Sequence, residues 1–357
     1  MNYRTYKFYA RKQITAATTI VEDLRMADVI SELIISLEYV NAAETTVAHP
    51  VKCLQKVEVI DGSEVLYSLD GYEADALDWY TRGGRFRSNF NNAKNGQIGV
   101  RLIGIPFGRY LFDPQYGLDP KKHANPQIRL TIDPAAGGNT GNTVYLTMYA
   151  NLFDEKTVNP LGVLIAKEIK RWTIASTVHD YTDMPVDYPY RGLYIRAFAD
   201  GTDAGSVISN VKLSEDQDKR VPVDLPALDI LRCVQARYGE CAESILANVP
   251  ATAKSLYISP ADRVSGVASV WAAAAATNSI AITGGGSGKL SVIASAALDA
   301  EIFVRGALPH AVLQVPFGDP NDPSDWYNVR SIGNLRLDVT GGASGTGYLY
   351  LQQLRPY

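Results

Sequence analysis

The chain has 357 residues, 46% apolar and 20% charged, with a formal net charge of −4. That balance excludes a disordered chain and a surface that attracts nucleic acid as a whole, and the length suits one large or two ordinary domains. Three cysteines without a CxxC spacing exclude a disulfide scaffold and fit a reducing compartment, while 21 Tyr beside many Val, Ile and Thr tilt the class towards β-sheet.

Residues 1–13 stand apart as an arm. Arg4, Lys7, Arg11 and Lys12 alternate with Tyr3, Tyr6, Phe8 and Tyr9, and residues 1–12 contain no acid. The mixture suits an anionic lipid surface, with its rings at the headgroups. It also suits nucleic acid, through phosphate contacts and stacking. A solvated arm, or one packed on a neighbouring subunit, is the plainer reading. No apolar run precedes a small-residue cleavage site, so no secretory signal is expected.

Further along, "ISELIISLEYV" (30–40) reads as a strand. "KVEVIDGSEVLYSLDGYEADALDWYTRGG" (56–84) reads as strand, polar turn, short strand, acidic N-cap and helix. Asp70 and Glu73 have the spacing of a capping box, and Tyr72, Ala76 and Tyr80 recur at helical intervals. "IPFG" (105–108) comes next. Pro106 cannot donate to a ladder and so ends a strand, Phe107 supplies a buried anchor, and Gly108 permits the turn into loops with Asp113-Pro114 and Asp119-Pro120. "QIRLTIDPAAGGNTGNTVYL" (127–146) then reads as two strands around a Gly-Gly turn.

The same series begins again. "YRGLYIRAFAD" (190–200) is an opening strand, and "NVKLSEDQDKRVPVDLPALDILRCVQARYG" (210–239) repeats the strand–strand–cap–helix plan, with Leu228, Leu231, Val234 and Tyr238 as its apolar stripe. "VPFG" (315–318) supplies Pro316, Phe317 and Gly318, followed by Asp319-Pro320 and Asp322-Pro323. "NLRLDVTGGASGTGYLYL" (334–351) matches the earlier pair of strands, setting Arg129 against Arg336, Gly137-Gly138 against Gly341-Gly342, Gly141 against Gly345 and Tyr145 against Tyr348. Three matches in one order define a tandem duplication, 14–160 and 161–357, with the excess of the second copy expected as inserted loops around 240–300.

Little chemistry stands out. Residues 264–288 carry no charge but hold five Gly and several Ser, Thr and Asn, too polar for a membrane span. "TGGGSGKL" (283–290) imitates a phosphate loop, yet Thr283 and Leu290 replace the Gly and the hydroxyl residue that the pattern needs. His49, His123, His179 and His310 show no metal-ligand spacing, and no GxSxG elbow accompanies them. Asp319, Asp322 and Asp325 do not follow a calcium-loop spacing, and Asp-Pro is ordinary turn chemistry. No catalytic residue, metal or cofactor is expected.

Each copy therefore consists of short alternating strands punctuated by turns, with helical periodicity confined to one segment. That pattern means an all-β sandwich or barrel, and the eight-stranded jelly roll is its common form. The order "VEVIDGSEVLYSLDGYEADALDWY", then "IPFGRYLFDP", then a second half on the same plan resembles double jelly-roll major capsid proteins. These build tailless icosahedral virions, often membrane-containing, in the lineage of the adenovirus hexon. The resemblance covers about residue 14 to 357 and lies in pattern and order. It implies two tandem eight-stranded jelly rolls with short flanking helices, pseudo-hexameric homotrimers, and a capsid of a prokaryotic virus assembled in host cytoplasm. It also implies partners among minor or vertex capsid proteins, with inner membrane or genome contacted through Tyr3, Arg4, Tyr6, Lys7, Tyr9, Arg11 and Lys12. A two-domain jelly-roll glycan hydrolase, or a secreted lectin or adhesin, is the alternative.

Overall fold

A computed structural model describes residues 2–44, 46–138, 141–272 and 279–357. The first copy comprises β1 (Tyr3–Ile14), β2 (Thr18–Asp23), β3 (Ile30–Val40), β4 (Leu54–Asp61), β5 (Glu64–Leu69), helix α1 (Gly71–Thr81), the short β6 (Phe90–Asn92), β7 (Ile98–Pro106), β8 (Pro126–Ile132) and β9 (Val144–Phe153). Central strands carry β-branched and aliphatic residues on the inner face, as Leu33, Ile35 and Leu37 do in β3, all essentially unexposed. The strands form one sheet in the order β1-β9-β3-β7 and another containing β2-β8-β4-β5.

The second copy comprises β10 (Gly162–Ile174), β11 (His179–Asp183), β12 (Tyr190–Phe198), the single turn α2 (Ala204–Val207), β13 (Ile208–Glu215), β14 (Arg220–Pro226) and helix α3 (Ala227–Tyr238). Between α3 and the rest of the sandwich lie β15 (Cys241–Val249), β16 (Lys254–Tyr257), β17 (Pro260–Ala261), β18 (Ser265–Ala272), β19 (Ile280–Gly286), β20 (Lys289–Ala294), β21 (Leu298–Gly306) and β22 (Leu308–Pro309). The copy closes with β23 (Val312–Gln314), β24 (Leu335–Gly341) and β25 (Gly345–Pro356). Its strand orders, β10-β25-β12-β23 and β11-β24-β13-β14, repeat those of the first copy strand for strand.

The copies join edge to edge. β10 lies parallel to β5, with Ala166 opposite Tyr67 and Lys167 opposite Ser68, so that one eight-stranded sheet, β2-β8-β4-β5-β10-β25-β12-β23, runs through both sandwiches. Lys56–Glu168 at 3.3 Å and Arg355–Glu64 at 2.6 Å cross this seam. The apolar core is likewise one cluster spanning both copies.

Four sequence expectations need correction. The segment 1–13 is not an arm: Tyr3–Ile14 is the first strand, laddered to β9 from Tyr3–Phe153 to Ile14–Val144, with the place in its sheet that β10 has in the second copy. Residues 240–300 are not loops either. With β6 of the first copy and the rest of β21, they build a module of two sheets, β18-β21-β15-β6 and β16-β20-β19, around a separate core with Ile245, Val249, Leu256, Val292 and Ile302. "TGGGSGKL" is its β19–β20 hairpin, turning at Gly288 with φ +72°; residues 273–278 of the uncharged stretch lie outside the described residues. Third, α3 starts at Pro226 without a side-chain cap, and Leu228 is 45% exposed, leaving Ile230, Leu231 and Val234 as the buried stripe. Fourth, the Arg-Leu match is out of register. Arg129 faces Glu58 across β4–β8, and the equivalent pair in the second copy is Asp338 facing Lys212, not Arg336.

Candidate functional site

The N-terminal strand is largely committed to its own sandwich. Tyr3 stacks on Phe112 at 4.1 Å, Arg4 reaches Asp28 at 2.9 Å and Asp154 at 3.6 Å, and Tyr9 is buried. Arg11 binds Glu38 at 2.8 Å and lies over the Tyr145 ring at 3.6 Å. The second copy repeats the device with Arg171 over Tyr348 at 4.5 Å. Tyr6, Lys7 and Lys12 remain exposed. Among the described residues, what β1 presents outwards is thus an edge of unpaired backbone with Lys7 and Lys12 unpaired, less cationic than the sequence suggests.

The two Pro-Phe-Gly segments end β7 and follow β23, and both glycines are fixed by an aspartate. A Cβ at Gly108 would lie 2.8 Å from the Asp113 side chain, and one at Gly318 would lie 2.3 Å from Asp325. Asp113 Oδ2 accepts from the Arg109 amide at 3.1 Å, and Asp325 Oδ2 accepts from the Asp319 amide at 2.7 Å. Asp319 and Asp322 likewise accept from the amides of Asn321 and Ser324, both at 2.9 Å, so these carboxylates close turns. Among the described residues no group of three His, Cys, Asp or Glu is placed to hold a metal. Pro106 and Phe107 sit on the seam, where the Phe107 carbonyl accepts from the Leu164 amide at 3.0 Å. Phe107 is fully buried, whereas Phe317 is half-buried and stacks on Tyr327 at 5.1 Å. Pro316 lies beside it, also half-buried.

Where the two sandwiches meet the module lies a polar cluster that no sequence spacing announces. Asp75 of α1 accepts from Arg101 Nη2 of β7 at 2.5 Å and from His310 Nε2 at 2.7 Å. Arg101 Nη1 lies 3.5 Å from Glu243 of β15, and His49 Nε2 lies 2.9 Å from Ser259 Oγ. Burial pushes the Asp75 and Glu243 carboxyls up, but Arg101 with His310 for the first, and His49 with Arg101 for the second, outweigh it and hold each at about 2. His310, by contrast, is pushed down to about 4 by burial, against the pull of Asp75. Beside the cluster opens a cavity of about 400 Å³ lined by Tyr72, Arg171, Arg196, Phe198, His310 and Tyr348 among others.

Ser259, His49 and Glu243 contain the residue types of a nucleophilic triad, but the geometry is wrong for one. The serine and the carboxylate both approach Nε2, at 2.9 Å and 3.8 Å, while Nδ1 accepts from the Val51 amide at 3.3 Å. In a working triad the acid holds the nitrogen opposite the nucleophile. Ser259 is, moreover, completely buried. The cluster can fasten three modules together and cannot present a nucleophile to a substrate.

No protein-family model and no curated protein sequence matches the chain. Solved structures match it in shape over nearly all of its length. The major capsid protein of Sulfolobus turreted icosahedral virus aligns with 99% of this chain and 97% of its own at a TM-score of 0.61 and 12% identity. Major capsid protein P2 of bacteriophage PM2 covers 99% and 98% at 0.56 and 11%. VP54 of the virus PBCV-1 covers 98% and 94% at 0.55 and 11%. Shape agreement at this sequence distance defines a fold: the chain is a double jelly roll.

Proposed function

We propose that the protein is the major coat subunit of a tailless icosahedral virus, a structural protein without catalysis, and that three copies form a pseudo-hexagonal tile of the virion shell. The observation that carries this reading is the strand-for-strand duplication, with the copies fastened edge to edge by β5 and β10. Two equivalent wedges per chain make six in a closed ring of three chains, and closure prevents open-ended growth. The near-complete overlap with two proteins described as major capsid proteins supports the same role. A prokaryotic host, assembly in its cytoplasm and contacts with vertex or minor capsid proteins belong to this proposal. Contact with an inner membrane or genome would rest on Lys12, because Arg4 and Arg11 are already paired within the chain and Tyr6 and Lys7 lie on the outer edge of the sheet.

Light scattering behind size exclusion tests the proposal. The expected mass is three times the 38.9 kDa of one chain, with hexagonal tiles or shells by electron microscopy. A strict monomer at high concentration would overturn it.

A further inference from the structure

We infer that the trimer closes by setting the β14 edge of one subunit against the β1 edge of the next, with Lys7 beside Asp224 and Asp154 beside Arg220 across the boundary. This rests on the homotrimer proposed above and names the surface that makes it.

The template is inside the chain. The seam consumes the β5 edge of the first copy and the β10 edge of the second, while their counterparts β14 and β1 each end a sheet with no further neighbour among the described residues. The ladders fix which residues correspond. In the β4–β5 pair Glu64 faces Asp61 and Ser68 faces Glu58; in the β13–β14 pair Arg220 faces Glu215 and Asp224 faces Lys212. Registered on the two Pro-Phe-Gly segments, Tyr149 of β9 falls on Tyr350 of β25. Lys7, opposite Tyr149, therefore falls on Glu168, opposite Tyr350. Asp154, next after Phe153, falls on Arg355, next after Leu354.

Carrying the seam over to the free edges yields two ion pairs, both with the signs exchanged. Within the chain, Glu168 on β10 reaches Lys56 on β4, and Arg355 reaches Glu64. Between chains, Lys7 arrives at the place of Asn210, whose side-chain amide donates to Asp224 at 2.8 Å, and Asp154 arrives at Arg220. Lys7 and Asp224 are exposed, and the Arg220 side chain, 67% exposed, bonds Glu215 through Nη1 at 2.9 Å. Arg4 keeps Asp28 at 2.9 Å when Asp154 turns to the new partner.

The exchange of signs has a use. Were β1 of another chain to displace β10 from β5, Lys7 would meet Lys56 and Asp154 would meet Glu64. Were β10 to dock on β14, Arg355 would meet Arg220 and Glu168 would meet Asp224. Like charges thus disfavour swapped sandwiches and direct each edge to its proper partner. Pro222 and Pro226 remove two N–H donors from β14, which confines any new ladder to the stretch between them. The seam within the chain is equally short, two residue pairs.

The test is a charge-reversal series read by light scattering over a dilution range, with far-UV circular dichroism of each variant as the fold control. Arg220→Glu and Lys7→Glu alone are expected to raise the trimer dissociation constant about tenfold or more. Arg220→Glu with Asp154→Lys, and Lys7→Glu with Asp224→Lys, are expected to restore it. Folded single variants with the wild-type trimer mass would overturn the inference and leave the trimer standing. Weakened single variants that their partners fail to rescue would overturn the assigned pairs. A wild-type monomer would sink the trimer itself. The Lys7–Asp224 arm uses only exposed residues, so misfolding of Asp154→Lys does not remove the test.

Discussion

His310, Asp75 and Glu243 each make the folded state less stable as the pH falls. Burial holds His310 at about 4, below the ordinary 6.5 of an unfolded chain, so the unfolded state takes up the proton first. Its contribution, roughly 3 kcal/mol, is present above pH 6.5 and is lost as pH falls to about 4. Asp75 and Glu243, held at about 2, add a second loss as pH falls from their ordinary range to about 2. Glu73 runs the other way: burial and the nearby Asp70 raise its carboxyl well above the usual range, so its contribution weakens as pH rises. Urea midpoints measured from pH 8 to pH 4 should therefore fall on the acid side, and His310→Gln should flatten that slope. Arg101→Met removes the charge shared by two buried carboxylates and should cost about 3–5 kcal/mol. The repeated Pro-Phe-Gly separates burial from sequence identity. Phe107→Ala should cost about 3–5 kcal/mol, and Phe317→Ala about 1 kcal/mol, in keeping with a half-buried aromatic pair. Spacing exposed both phenylalanines because each lies just past the end of a strand. It could not expose the cluster, whose members lie on β7, α1, β15 and three loops and meet only through the tertiary fold.

Helix α1 shows what local sequence determines and α3 shows where it stops. Asp70 accepts from the Glu73 amide at 2.9 Å and Glu73 accepts from the Asp70 amide at 2.9 Å, the reciprocal box that the spacing announced. Asp70→Ala should lower stability by about 1 kcal/mol in chemical denaturation. At α3 the corresponding position is Pro226, and packing of Ile230, Leu231 and Val234 sustains the helix without a cap. The N-terminal strand misled for a different reason. Charge and aromatic content describe its outward side, whereas its membership of the sheet depends on β9, which lies more than a hundred residues away. The module 241–306 was legible as excess length but not as structure, because its Gly, Ser and Ala content resembles a loop until its strands find one another. Cys241 and Gly306 are ladder partners at its base, so an Asn-Gly turn could replace residues 242–305. Such a chain should keep the all-β circular dichroism of the double sandwich while losing thermal stability, since Glu243 and Ser259 leave the cluster with the module.

At the scale of the molecule, duplication was readable because it preserved the turn-forming Gly, Pro and Asp residues at the strand ends. The joining of the copies was not, since parallel pairing of β5 with β10 leaves no periodic mark in either strand. It has a thermodynamic consequence: one core cluster and one shared sheet make the sandwiches a single cooperative unit. Calorimetry should show one main transition for the double sandwich, and two well-separated transitions would refute that.

The shared sheet also bears on how a shell built from such subunits would carry force. Sandwiches strung on a flexible tether would hinge under internal pressure, and each tile would buckle along its middle. Here the backbone of eight laterally bonded strands passes from one wedge into the other, and the Lys56–Glu168 and Arg355–Glu64 pairs brace the crossing. The subunit behaves as a beam rather than as two beads. Curvature of such a shell would then be taken up at the boundaries between chains, where no continuous sheet joins one wedge to the next.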